Sequence, residues 1–188
     1  MAIRAENSSP NRNTAAGLRT ELARKIASYV GSSEKRVTEI PGLSLHRRTS
    51  PTAPCSALYE SSVIVIAQGR KRVDLGGTPF IYDPTRYLLT SVDLPVVTRV
   101  VDATEQAPCL AMLLKLQLPL VRELLNREEI QITAAPSEGP AMATGETTPE
   151  FLGACCRRWR LCVHQRPALS GGDRLSDLGF RGAELARC

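Results

Sequence analysis

Residues 58–101 constrain the fold of this chain more than any other segment. They form short apolar runs separated by tight turns, and they show no helical period. The run SVIVIA, residues 62–67, is β-branched and almost continuously apolar, which is typical of a strand buried on both faces. Gly76 and Gly77 separate two further runs and predict a hairpin, because the favoured hairpin turns need positive φ. The pattern predicts a mainly β fold, an antiparallel barrel or jelly roll with flanking helices.

Seven strands are predicted from these runs and their neighbours. They are residues 43–47, 62–67, 71–75, 79–82, 87–90, 95–101 and 110–116. An amphipathic helix is predicted before them over residues 18–30, with Leu22 and Ile26 on its apolar face. A second helix is predicted from Pro119 to about Arg127, and a third begins after Thr148, with threonine as its cap.

Composition divides the chain into four parts. Residues 1–17 are polar and predicted to be disordered, and residues 18–132 form the predicted domain, including its N-terminal helix. Residues 133–149 have the composition of a linker. Residues 150–188 are predicted to be a partial helix followed by an irregular tail.

Two phrases in the predicted sheet resemble a known family. LYESSVIVIAQGRKRVDLGG, followed by IYDPTRYLLTSVDLPVVTRV, is similar to the amino-terminal regulatory domain of AraC-type bacterial transcription regulators. The similarity extends more loosely over residues 41–125. It implies a cupin-like barrel that senses an effector, forms a homodimer or pairs with full-length homologues, and controls a separate DNA-binding domain.

The second predicted helix has two interpretations. Its apolar residues, predicted to be buried, are Leu120, Val121, Leu124 and Leu125. The family resemblance implies that helices after the barrel supply the dimer contact. The alternative is that this helix simply covers the open end of the barrel.

An effector pocket needs an apolar cavity with a few polar anchors. The candidate anchors in the predicted strands are Tyr59, Gln68, Arg70, Arg72, Tyr82 and Tyr87. Because alternate residues of a strand face opposite sides, Arg70 and Arg72 share one face and Lys71 takes the other. The alternative for the arginines is a solvated outer face, and an inward arginine would favour an anionic effector.

Catalytic and metal-binding patterns are weak. The chain has two histidines, and neither lies in residues 58–101, whereas a metal-dependent cupin enzyme needs a cluster of them. Cys156, Cys162 and His164 match no usual zinc spacing. We therefore expect no catalytic site, no metal and no cofactor, and a small cupin-fold enzyme is the alternative function.

The positive charge is concentrated at the end of the chain. The net charge is +5, of which residues 157–188 carry +4 and the other residues +1. A basic excess in an irregular tail does not predict a DNA-reading surface. The N-terminus lacks the apolar core of a secretory signal and no run is long enough to cross a bilayer, so we expect a cytoplasmic protein without membrane contact.

Both the resemblance and the apolar periodicity weaken near Arg157. We expect a lost reading frame there, which would leave the chain without its helix-turn-helix domain and unable to bind a specific operator alone. The predicted function is therefore effector sensing and dimerisation. A further alternative is a non-functional fragment of a disrupted regulator gene.

Overall fold

Two facing antiparallel sheets form the body of the molecule. The computed structural model describes residues 10–126 and 141–164, with side chains for residues 14–126 and 141–157. The larger sheet has six strands in the described part of the chain. In spatial order they are β1 (Lys35–Val37), β2 (Leu43–Arg48), β9 (Cys109–Lys115), β4 (Ser62–Gln68), β7 (Arg86–Thr90) and β10 (Met142–Glu146).

The smaller sheet has four strands within residues 10–126 and 141–164, and it covers one face of the larger sheet. In spatial order they are β3 (Cys55–Tyr59), β8 (Leu94–Asp102), β5 (Arg70–Leu75) and β6 (Thr78–Tyr82). Among the strands that the structure describes, no pairing joins the two sheets into one closed sheet. The predicted fold class is confirmed, and it takes the jelly-roll form of two facing sheets.

All seven predicted strands are present, each within one residue of its predicted bounds. The hairpin between β5 and β6 is also confirmed, with Gly76 at φ 55° and Gly77 at φ 87°. β5 and β6 pair antiparallel because this glycine turn reverses the chain, whereas most other consecutive strands of the described chain lie in different sheets. β-branched, turn-bounded runs were therefore a reliable guide to this part of the fold.

Three further strands were not predicted. β1 and β3 are short and lie beside loops, and β10 lies inside the segment predicted to be a linker. β10 pairs with β7 from Met142 opposite Thr90 to Glu146 opposite Arg86. The linker prediction is wrong for these residues, because pairing with β7 makes a strand of a sequence with little strand propensity of its own.

Three helices accompany the sheets in the described residues. They are α1 (Pro10–Val30), α2 (Leu118–Leu125) and α3 (Pro149–His164). α1 begins at Pro10, so the disorder predicted for residues 1–17 is wrong from that residue onward. The predicted start of α3 is confirmed, because the Phe151 backbone N–H donates to Thr148 Oγ1 over 3.2 Å.

The larger sheet separates two apolar cores. The outer core lies between this sheet and helices α1 and α3, and its members include Leu22, Ile26, Leu45, Val65 and Leu152. The inter-sheet core lies between the two sheets. Its members include Ile64, Ile66, Val73, Tyr82 and Leu88. Ile64 and Val65 are consecutive and enter different cores, as strand alternation requires.

Helix α2 buries none of its residues. Leu120, Leu124 and Leu125 are 48%, 38% and 44% exposed, and Val121 is partly buried. The prediction of a buried apolar face is therefore wrong for the single chain, because no neighbouring element covers the helix within the described residues. Among those same residues, no helix has the length and apolar character to cross a membrane.

Candidate functional site

A cavity of about 50 Å³ lies between the two sheets. Its apolar wall includes Ile64, Val100, Ala111 and Leu113, which come from both sheets. Thr52, Thr98 and the sulfur-containing side chains of Cys55 and Cys109 also line it. Its basic residues are His46, Arg48, Lys71 and Arg99, and no aspartate or glutamate belongs to this described lining.

Strand alternation places three of the basic side chains at the cavity. On β2, Leu43 and Leu45 enter the outer core, so His46 and Arg48 take the opposite face. On β5, Val73 is fully buried in the inter-sheet core, so Lys71 shares its face. Lys71 is paired with Tyr82 of β6 and Val100 of β8, whose side chains enter the same core.

His46 is held in its neutral form. Burial, and then the positive charges of Lys71, Lys35 and Arg48, lower its pKa from 6.5 to about 3. Its Nε2 lies 2.9 Å from Ser44 Oγ. A neutral imidazole has one donor and one acceptor nitrogen, so His46 can contribute a hydrogen bond to the cavity without adding charge.

The remaining basic groups differ in their partners. Arg48 forms an ion pair with Glu34 outside the cavity. Arg99 lies between Thr98 and Val100 on β8, and since these two side chains face inward, strand alternation puts the Arg99 side chain on the outer face. Its Nε is buried and has no hydrogen-bond partner among the described residues. Lys71 forms no ion pair with any carboxylate of the described chain. Of the charged side chains that strand alternation directs into the cavity, Arg48 has a carboxylate partner among the described residues and Lys71 has none.

Cys109 lines the cavity as a protonated thiol. Burial raises its pKa from 9.0 to about 11, an effect that the nearby Lys71 charge opposes. Because the thiolate is the reactive form of cysteine, this side chain is unreactive at neutral pH. Its contribution is a small, weakly polar surface.

Two of the predicted pocket residues lie beside the cavity, not in its wall. Tyr59 and Tyr82 are buried in the inter-sheet core, with their hydroxyl oxygens 3.4 Å apart. Tyr59 Oη also lies 2.9 Å from Oγ1 of Thr98, which lines the cavity. Burial raises the pKa of Tyr82 well above its usual value, so its hydroxyl stays protonated. The pair forms a polar link from the core to the cavity.

The other four predicted pocket residues lie away from the cavity. Gln68 donates from Nε2 to the Pro108 carbonyl over 2.9 Å, and Arg70 is exposed. Arg72 forms an ion pair with Asp74, in which its Nη2 lies 2.7 Å from Oδ1.

Tyr87 faces the outer core. Its ring stacks on Phe151 of α3, with centroids 4.9 Å apart. Gly145 lies under this ring, where an added Cβ would come 2.4 Å from the hydroxyl oxygen. An effector role for any of the six predicted residues stays a prediction.

His46, Arg48 and Lys71 are the site residues that sequence reasoning missed. Alternation correctly separated Lys71 from Arg70 and Arg72, but it did not say which face of β5 looks inward. The fully apolar side chain of Val73, two residues after Lys71, was the available signal. No comparable signal marked His46, because its inward direction depends on α1 covering the opposite face of β2.

Within the described residues, no group of three or more His, Cys, Asp or Glu is arranged to hold a metal ion. The site is thus a small, mainly apolar cavity with basic groups at one side. Fold and site together define a jelly-roll domain with helices packed on one sheet and a cavity between the sheets.

Comparison with known families agrees with this class. The family model described as "AraC-type transcriptional regulator N-terminus" matches residues 39–170, which is well over half of the chain. The chain belongs to this family and carries the regulatory domain of an AraC-type transcriptional regulator. No curated protein matches it.

Several solved structures share parts of the fold at low identity. An apo variant of ToxT from Vibrio cholerae is 6% identical with a TM-score of 0.44, covering 66% of this chain and 49% of its own. A cupin-2 domain protein from Shewanella frigidimarina is 12% identical with a TM-score of 0.28, covering 43% and 78%. The Schizosaccharomyces pombe Cnp3 cupin domain is 12% identical with a TM-score of 0.31, covering 51% and 72%. The chain thus spans about half the length of the ToxT chain.

Proposed function

We propose that this domain binds a small-molecule effector between its two sheets and transmits that event through a dimer to a DNA-binding domain. The observation that carries the proposal is the cavity inside a domain of a regulator family. A pocket of this kind, apolar with a few polar groups, suits reception of a ligand. We place this work in the cytoplasm, where a transcription regulator meets DNA.

A ligand screen tests effector binding. A compound that binds only the folded chain raises its apparent stability according to its concentration and dissociation constant. We expect a subset of metabolites to raise the melting temperature of the 188-residue chain in a concentration-dependent manner. A Leu113→Trp variant, which fills the cavity, should lose the response. Equal responses of both proteins would contradict binding at this cavity.

The exposed leucines of α2 support dimerisation through this helix. Leu120, Leu124 and Leu125 present apolar surface that a second copy would cover. Sedimentation velocity should show a dimer that Leu124→Glu converts to a monomer, whereas Arg122→Gln on the same helix keeps the dimer. A dimer that survives Leu124→Glu would refute this interface.

We also propose that the chain has no specific operator affinity by itself. The support is its charge distribution, since residues outside 157–188 carry a net charge of only +1. Mobility-shift assays should detect no sequence-specific complex. A low-nanomolar specific complex would refute this.

The rival function is that of a small cupin enzyme. We propose that this chain is not an enzyme. Stoichiometric iron, manganese or zinc in the purified protein would favour that rival. A second rival is that the chain is a non-functional fragment of a disrupted regulator gene. The frame change near Arg157 stays a prediction, and the family match continues past this residue to residue 170. Translating the gene around this codon in all frames tests it.

A further inference from the structure

The cavity between the sheets has an uncompensated positive charge. Lys71 comes from the smaller sheet, and His46 and Arg48 come from the larger one, so basic groups approach this space from both sides. Of the described acidic groups around it, Glu34 pairs with Arg48, and Asp74 pairs with Arg72 on the outer face. Asp102, whose charge acts on Cys109, is exposed and does not line the cavity. A partly buried ammonium without a counter-ion is unfavourable, and an anion entering the cavity would relieve it.

Lys71 is the basic group best placed to hold such an anion. Arg48 already has a carboxylate partner, and Arg99 belongs to the outer face. His46 is neutral near pH 7, so it can donate a hydrogen bond but adds no charge. A compact anion would therefore pair with Lys71 and take further hydrogen bonds from neutral groups such as Thr98.

The other walls restrict the ligand to a small, partly apolar molecule. Ile64, Val100, Ala111 and Leu113 offer no hydrogen bond from their side chains. The volume of about 50 Å³ compares with roughly 10–15 Å³ needed for one water by the same measure. The space suits an anionic head with a short aliphatic chain, and a large or fully polar ligand does not fit these walls.

We propose that this cavity binds a short-chain aliphatic carboxylate, with Lys71 as the ion-pair partner of the carboxylate and Ile64 and Leu113 in contact with its alkyl chain. This inference rests on the proposed effector-receiving function and specifies the chemical class of the ligand. Hydrogen bonds between Thr98 and Tyr59 and between Tyr59 and Tyr82 connect this cavity to the inter-sheet core, so ligand binding at Thr98 can affect the packing of that core.

Calorimetric titration of the full 188-residue chain tests this proposal. The probes are sodium acetate, propionate and butyrate, each paired with its neutral amide of similar shape, at pH 7 and constant ionic strength. Carboxylates should bind at least about tenfold more tightly than the matched amides, which is the usual size of one charge-assisted hydrogen bond. Sodium sulfate provides a purely polar anion, which we expect to bind more weakly than butyrate.

Two variants assign the effect to one side chain. Lys71→Met keeps an unbranched side chain and removes the charge, and it should weaken butyrate binding by at least about tenfold. Arg70→Met removes the same charge from the neighbouring exposed position, and it should change affinity by less than about twofold. Lys71→Met should melt at the same temperature as the original chain or higher, since it loses an unpaired, partly buried ammonium.

Each outcome separates this inference from the proposed function. Equal binding of amides and carboxylates, or equal losses in both variants, would overturn the carboxylate assignment, and so would sulfate binding as tightly as butyrate. If a neutral metabolite then stabilises the chain and Leu113→Trp abolishes the effect, the proposed function survives without the carboxylate. If no compound responds, both fail. The comparison of carboxylates with amides needs no variant, so it decides the matter even if Lys71→Met does not fold.

Discussion

The two cores on either side of the larger sheet use the same strands for different purposes. The outer core packs aliphatic side chains of α1 and α3 on one face, with Leu22, Ile26 and Leu152 fully buried. The inter-sheet core contains the hydroxyls of Tyr59 and Tyr82 and leads into a cavity with basic groups. An apolar, filled layer resists change, whereas a polar layer with empty space can receive a ligand. This difference supports our proposal that the outer core is a rigid base for a ligand site between the sheets.

The largest expected effect comes from the outer core. Leu22→Ala should lower the free energy of unfolding by about 2–5 kcal/mol, because it leaves a cavity beneath α1. Urea denaturation measures this loss. Arg24→Ala, on the exposed side of the same helix, should stay within about 0.5 kcal/mol of the original chain. Similar losses in both variants would mean that α1 does not pack as described.

A glycine at the turn between β4 and β5 gives the next largest effect. Gly69 has φ 85°, and an added Cβ would lie 2.6 Å from the Asp102 carbonyl oxygen and 2.8 Å from Cys109 Cα. Gly69→Ala should cost about 3 kcal/mol, from backbone strain plus this overlap. Gly76→Ala has φ 55° with open space around it, so it should cost only about 1–2 kcal/mol. Urea denaturation of the two variants compares them, and equal costs would show that Gly69 has room for a side chain.

Lowering the pH should reduce the free energy of unfolding through His46, which lies on the inter-sheet side of the larger sheet. Its folded pKa of about 3 lies below the unfolded value of 6.5, so its contribution is present above pH 6.5 and is lost as the pH falls toward 3. Protonation of the unfolded chain should remove about 2 kcal/mol between pH 7 and pH 5. Lysines 35 and 71 and Arg48 oppose protonation in the folded chain, and no described carboxylate is among the causes of the shift.

His46→Gln isolates this effect from the carboxylates elsewhere in the chain. The variant removes the titrating group, so its stability should fall less steeply than that of the original chain over this pH range. Chemical denaturation at a series of pH values gives both curves. Parallel curves would show that His46 titrates normally in the folded protein.

The smallest effect concerns the hydroxyls of the inter-sheet core. Tyr59→Phe should cost about 1–2 kcal/mol, because it removes the hydrogen bond to Thr98 and leaves the buried Tyr82 hydroxyl without its partner among the described residues. Tyr87→Phe keeps the ring that stacks on Phe151 and should cost less than about 0.5 kcal/mol. Thermal denaturation of the two variants measures the difference. Equal costs would remove the special role of the polar pair.

Sequence patterns predicted the sheet well where local signals agreed with the fold. Residues 63–66 are all β-branched, and Gly76 and Gly77 supply a turn that needs positive φ, so these elements follow from short-range chemistry. The sequence of β10, MATGE, gives no such signal. This segment becomes a strand because it pairs with β7. Tertiary pairing therefore decided the elements that local propensity missed.

The candidate site was less predictable than the sheet. Alternation put Lys71 opposite Arg70 and Arg72, which is how the structure places them. The inward direction, however, depends on the second sheet and on α1, and neither is visible in one strand. The three candidate tyrosines also lie on different sides of the larger sheet. Tyr59 and Tyr82 face the inter-sheet core, and Tyr87 faces the outer core.

Methyl NMR of the full chain during a butyrate titration tests the division between the two cores most directly. We expect large shifts for methyl groups around the cavity, those of Ile64, Val100 and Leu113. The signals of Leu22 and Ile26 in the outer core should stay unchanged. Shifts confined to the outer core, or spread equally over both cores, would contradict a receptive inter-sheet site on a rigid support.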